Sequence, residues 1–260
     1  MGEDRLGRAI ARSGVIAKSV PAPLAASGES DATEPRSGRR RLLHGRIRGK
    51  TLRAHHARLV AELLPRLQVD MGAFAAGEPL FAFRPREVWL EIGFGGGEHL
   101  VARAGENPNV GFIGCEPFVN GVAKLLAAVD VQGLVNVRIR AGDARALIEA
   151  APAASLSRIF ILYPDPWPKR RQHKRRLIDE ETIAELARVA RPGAELRFAT
   201  DIDDYAGWTL RRFLASTDFR WEARRADDWR IPWEGWAPTR YEAKARAAGR
   251  SSAYLTFLRQ

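Results

Sequence analysis

The sequence predicts an α/β protein: a mostly parallel, doubly wound sheet with one antiparallel strand at the C-terminus. Three observations carry that prediction. From residue 86 onward, short apolar runs alternate with helical stretches. A glycine-rich turn, GFGGG, directly follows the first apolar run. Acidic residues stand at the ends of the first three runs: Glu91, Glu116 and Asp143.

Taken in order, residues 1–35 are rich in Ala, Ser, Gly, Pro and Arg without clear periodicity, and read as a disordered extension. Residues 36–85 read as a basic arm and a helix leading into the main domain, which spans 86–260. Leu52, Leu59, Leu63 and Leu64 have helical spacing, and Pro65 is where that helix should stop. EVWLEIGF then reads as a strand and GGGEHLVARAGE as a loop entering a helix. The same alternation continues through VGFIGCE and NGVAKLLAAVDVQ, NVRIRAG and DARALIEAA, and SRIFILYP and KRRLIDEETIAELARVA. It ends with AELRFATD and YAGWTLRRFLAST. Helices between successive strands imply right-handed crossovers and parallel pairing. The tail, SSAYLTFLR, reads as a last strand, antiparallel near an edge.

The chain has 260 residues, enough for a large core, and 45% of them are hydrophobic. No run approaches the roughly 20 apolar residues that span a bilayer. Glu3, Asp4, Arg5, Arg8 and Arg12 interrupt any signal-peptide core, and Leu6 removes a myristoylation match, so a cytoplasmic protein is expected. The single cysteine, Cys115, excludes internal disulfides and Cys-rich zinc sites. His55 and His56 are adjacent rather than one helical turn apart, so no metal site is expected. The net charge of +11 favours a polyanionic partner, nucleic acid before membrane. A monomer and a homodimer are both compatible with the pattern.

The glycine loop is not a dinucleotide fingerprint. Glu98 stands where G-x-G-x-x-G needs its last glycine, and Glu91 and Glu98 would repel a pyrophosphate. A cation or zwitterion fits better, and S-adenosyl-L-methionine is such a ligand. Gly93 and Gly95 let the backbone approach it closely. Glu116 suits two ribose hydroxyls. Asp143 suits an adenine amino group, or else caps the next helix.

YPDPWPKRRQHKRR, residues 163–176, joins a stiff turn to the densest positive charge in the chain. Pro164, Pro166 and Pro168 restrict the backbone around Asp165 and Trp167. Trp167 offers a face for a base and Asp165 an acceptor for its edge. The following cations suit phosphates.

LEIGFGGG, CEPF, GDA, YPDPWPKRRQHKRR, FATD and TRYE, in that order, resemble the bacterial tRNA (guanine-N7-)-methyltransferases over roughly residues 40–260. The resemblance implies a Rossmann-like class I methyltransferase fold, S-adenosyl-L-methionine as donor and tRNA as partner, with guanosine 46 of the variable loop as acceptor. It implies that Glu91, Glu116, Asp143 and Asp165 bind the cofactor and that Asp165 is catalytic. It casts Lys169, Asp201, Thr239, Arg240, Tyr241 and Glu242 as substrate contacts. Arg171, Gln172, His173, Lys174, Arg175 and Arg176 become an RNA-contacting segment. Gln172 stands where the family often has histidine, and the first 35 or so residues have no counterpart in it. Rival readings are an amino methyltransferase acting on adenine or cytosine, a non-catalytic RNA-binding protein, and a nicotinamide-dependent oxidoreductase. The proline spacing, the intact strand-end acids and the glycine spacing respectively argue against them.

Overall fold

A computed structural model describes Gly45 and residues 47–260. The disordered extension expected over residues 1–35, and the start of the basic arm, lie outside the described residues. The chain from 47 opens with α1 (Ala54–Glu62), α2 (Leu64–Leu67) and α3 (Met71–Ala75). It then alternates β1 (Glu87–Ile92), α4 (Glu98–Glu106), β2 (Val110–Cys115), α5 (Val119–Gln132), β3 (Val137–Arg140), α6 (Ala144–Ala150) and β4 (Leu156–Leu162). A short 3-10 helix (Arg170–Arg175) precedes α7 (Glu180–Val189), β5 (Ala190–Thr200), α8 (Asp203–Leu214) and β6 (Phe219–Trp221). The chain finishes with α9 (Asp227–Arg230), α10 (Arg240–Ala247) and β7 (Ala253–Arg259).

The sheet order is β3-β2-β1-β4-β5-β7-β6. The first five strands are parallel, while β7 runs antiparallel to both β5 and β6. The order reverses between β1 and β4, where doubly wound sheets bind ligands beyond their carboxyl ends. Side-chain alternation splits the core into two layers. Leu90, Ile92, Ile113, Ile161 and Phe198 pack on one face with Leu147, Leu186 and Phe213 of the covering helices. Trp89, Phe112 and Phe160 pack on the other with Leu59, Leu100 and Leu125. Both faces are covered, which is why the strands read as continuous apolar runs.

Two expectations are corrected. The helical path does not end at Pro65: it breaks after Glu62, and Pro65 sits in the first turn of α2, where its missing N–H costs nothing. KRRLIDEETIAELARVA is not one helix. Arg176 turns inward, and α7 starts afresh at Glu180, its cap Asp179 accepting from the Thr182 N–H at 2.9 Å. The last strand pairs antiparallel next to the edge, as expected, with the short β6 outside it. TRYE forms the cap and first turn of α10. Among the described residues, no helix is long and apolar enough to cross a membrane, and no group of His, Cys, Asp and Glu is placed to hold a metal ion.

Candidate active site

The glycine loop leaves β1 in left-handed backbone at Gly93 and Gly95, with φ of 75° and 59°. The Gly93 N–H donates to the Cys115 carbonyl at 2.7 Å, tying the loop to the neighbouring strand. The Gly95 N–H donates to Glu116 Oε2 at 2.7 Å, and the Phe118 N–H donates to Oε1 at 2.9 Å. The Glu116 carboxylate thus joins the turns after β1 and β2. Burial pushes its pKa up, with these two N–H donors acting in the opposite sense.

A cavity of about 350 Å³ opens here, near the lower end of the roughly 300–1,000 Å³ typical of ligand pockets. Gly93, Glu116, Phe118, Asp143, Asp165 and Tyr241 are among its walls. Asp143 does two things: it lines the cavity and caps α6, accepting from the Arg145 N–H at 3.0 Å. Lining the cavity and capping the helix are therefore not alternatives. Glu91 departs from expectation. It is buried against His99, whose Nδ1 lies 2.7 Å from Oε2, and Ile92 and Gly93 form the cavity wall at that strand end instead. Glu91 joins the end of β1 to the start of α4, bracing the glycine loop between them.

Asp165 follows β4 on the same edge. Its backbone neighbours are strained: Tyr163 has φ 49° and Trp167 φ 42°, and each precedes a proline. The Asp165 side chain is open to the cavity mouth, yet partial desolvation by the surrounding protein raises its pKa. Its charge is also felt by Glu116. Trp167 lines the cavity, with the Arg175 guanidinium 4.9 Å from its ring centroid. One face of that indole already carries a cation.

Lys169, Arg171 and Lys174 are exposed on and beside the 3-10 helix, whereas Gln172 and His173 are half-buried. Arg176 corrects the sequence reading. It is 1% exposed and cannot reach solvent RNA. Its Nε donates to the Pro166 carbonyl at 2.9 Å, and its Nη2 pairs with Asp204.

TRYE divides into two pairs. Arg240 and Tyr241 face the glycine loop, where a Cβ on Gly95 would lie 3.1 Å from the Tyr241 ring and 3.3 Å from Arg240 Nη2. Tyr241 also stacks on Tyr163, with ring centroids 6.4 Å apart. Thr239 and Glu242 are buried supports rather than open contacts. Thr239 Oγ1 accepts from the Glu242 N–H at 3.2 Å, capping α10. The Glu242 carboxylate accepts from Trp236 Nε1 at 2.6 Å and the Tyr254 hydroxyl at 3.0 Å, and pairs with Arg246. Asp201 is paired with Arg250 Nε at 2.7 Å and is not a wall of the cavity.

Sequence reasoning missed Tyr163, Phe118 and Arg145 as walls. Tyr163 and Phe118 are the end residues of two motifs that it did identify, YPDPWP and CEPF, so the motifs held the signal.

A family model described as "Putative methyltransferase" matches residues 85–255. A tRNA (guanine-N(7)-)-methyltransferase from Rhodopseudomonas palustris (strain BisB18) is 53% identical over 221 residues, covering 84% of this chain and 88% of that relative. The Bradyrhizobium diazoefficiens protein of the same name is 50% identical over 89% of this chain and 99% of its own length. That from Ruegeria sp. (strain TM1040) is 49% identical over 93% and 97%. Identity at this level over nearly the full length of each relative, on a sheet with this order and a site at its switch point, assigns the chain: it belongs to the tRNA (guanine-N(7)-)-methyltransferase family.

Proposed function

We propose that this chain transfers a methyl group from S-adenosyl-L-methionine to N7 of a guanosine in tRNA, at position 46 of the variable loop, in the cytoplasm. The observation that carries the reading is the presence of Glu116 and Asp165 in one cavity, with Arg175 in its lining and the exposed cations Lys169, Arg171 and Lys174 on the segment that follows Trp167.

The residues fit that cofactor. A Cβ on Gly93 would meet nothing within 4 Å, so the loop leaves open space at its closest approach to the cavity. Glu116 keeps acceptor capacity on both oxygens beyond its backbone donors, which suits a ribose diol. Asp143 suits the adenine amino group. Asp165 and Glu116 together favour a cationic ligand over a pyrophosphate. When bound, the cofactor supplies an electrophilic methyl group on a sulfonium.

Guanine N7 carries an in-plane lone pair and no proton. Asp165 therefore has no proton to remove from the nucleophile. Its role is to accept from the N1–H and amino group of the base, hold the ring in line at about 3–3.5 Å from the methyl carbon, and offset the positive charge growing on the purine. The strained turn keeps that carboxylate preorganised. Lys169, Arg171 and Lys174 hold flanking phosphates, and local opening of the RNA brings the base into reach.

The test uses two unmodified transcripts of one tRNA, one of them with guanosine 46 replaced by adenosine. Methyl transfer to the first and none to the second is expected. Equal incorporation into both would overturn the position.

A further inference from the structure

Arg176 lies in a run of exposed cations, yet it heads the large side chains that are fully buried. A buried guanidinium is costly unless partners offset its desolvation, and here Nε and Nη2 are paired while Nη1 has no hydrogen-bond partner among the described residues. Its Nε donates to the carbonyl of Pro166, the residue after Asp165, at 2.9 Å. Its Nη2 pairs with Asp204, in the first turn of α8. Its guanidinium carbon lies 4.7 Å from the Tyr205 ring centroid and 4.8 Å from that of Trp208, both on α8. Arg212 covers Trp208 as well, at 3.3 Å, and the Trp208 Nε1 donates to the Ile178 carbonyl at 2.8 Å. The anchor is therefore rigid on the α8 side.

The prolines fix φ within the Pro-rich turn but do not themselves tie it to its surroundings. Prolines at 164, 166 and 168 remove three backbone donors. Tyr163 and Trp167 hold left-handed backbone that only surrounding contacts can maintain. The bond from Arg176 reaches the turn between those two strained residues. His173, 3.4 Å from the Pro168 carbonyl and edge-on to Trp208 at 5.2 Å, is a weaker second tie to the same helix.

We infer that Arg176 is a positioning residue: it clamps the Pro166 carbonyl to the N-terminus of α8 and so fixes where the Asp165 carboxylate stands. The inference rests on the functional reading above, in which Asp165 aligns the base. It places the last arginine of the basic run in turnover rather than in RNA affinity.

The test compares the full-length wild type with Arg176→Lys, Arg176→Met and Asp204→Asn. Asp204 is 57% exposed on its side chain, so its amide variant is the one that folds if the Arg176 variants do not. Steady-state methylation of a tRNA transcript is measured for each, with the RNA dissociation constant, its salt dependence, and a crystal structure of Asp204→Asn. A misplacement near 1 Å costs about 100-fold in rate. The expected result is kcat lower by about 10- to 100-fold in Arg176→Met, a smaller loss in Arg176→Lys and Asp204→Asn, and KM for tRNA and the salt slope unchanged. A displaced Asp165 carboxylate in the Asp204→Asn crystal is the accompanying structural sign. Unchanged kcat in any folded variant lacking the clamp overturns the inference. So does a raised KM with a shallower salt slope, which would return Arg176 to RNA contact. If the wild type itself methylates no tRNA, the functional reading fails separately, and the crystal structure still decides whether the clamp holds Asp165.

Discussion

Gly121 has no room for a side chain. A Cβ there would sit 2.1 Å from the Gly95 carbonyl oxygen, so α5 and the glycine loop touch backbone to backbone. Gly121→Ala should push that loop out of place and weaken cofactor binding about tenfold or more, roughly 1.4 kcal/mol, with the circular dichroism spectrum preserved. Calorimetric titration that shows an unchanged dissociation constant would contradict the loop geometry. The two acids make a second prediction at this scale. Burial of Glu116 and partial desolvation of Asp165 raise both pKa values from their ordinary ones. The native state then binds more protons than the unfolded chain between the two pKa values, so these groups favour folding at low pH and lose that contribution as pH rises through their folded pKa values. Binding of a cationic ligand runs oppositely, weakening as pH falls through the same raised values. Asp165→Asn should remove part of the acid-side loss in titrations across pH; an identical pH profile would contradict it. That Glu116, Asp143 and Asp165 come together was legible because strand ends and a proline-flanked acid mark one edge of the sheet, and the three line one cavity there. The burial of Arg176 and Glu242 was not, since charged residues are almost never fully buried and their partners are remote in sequence. Arg176 pairs 28 positions away.

In the proposed function, the 3-10 helix and α10 flank the edge that RNA would meet. The 3-10 helix presents Arg171 and Lys174 to solvent. Replacing both with Gln should lower the slope of log affinity against log salt by about 1–2 and weaken binding for many RNAs alike. An unaltered slope in filter-binding assays would remove these cations from the interface. At α10, Thr239 is the cap and Glu242 the buried brace. Thr239→Val should cost about 1 kcal/mol of stability, read as a lower melting temperature, whereas Thr239→Ser should retain most of it. Equal melting of both variants would show that the cap contributes nothing. TRYE has the spacing of a capping box, threonine then glutamate three residues on, although α10 did not register as a helix in the sequence pattern. The glutamate does not complete the box here. Its carboxylate turns inward to Trp236 and Tyr254, which only tertiary packing reveals. The short β6 and α9 were not legible because three or four residues carry too little periodicity to register.

For the molecule as a whole, the alternation of apolar runs and helices predicted the doubly wound sheet correctly, including the antiparallel return of β7. That pattern is strong because both sheet faces need helical cover, which imposes repeated βα units on the chain. The same topology brings the ends of β1, β2, β3 and β4 to one edge, so residues 93, 116, 143 and 165 meet around one cavity despite their separation in sequence. The central claim is that this edge methylates guanine N7 through alignment by Asp165. Its most direct test is transfer of labelled methyl from S-adenosyl-L-methionine into an unmodified tRNA transcript, with digestion to nucleosides, by the wild type and Asp165→Ala. Label should appear in 7-methylguanosine with the wild type and fall by at least about 100-fold with the variant, whose RNA affinity should be retained. Label in any other nucleoside, or 7-methylguanosine formed at an undiminished rate by Asp165→Ala, would contradict it.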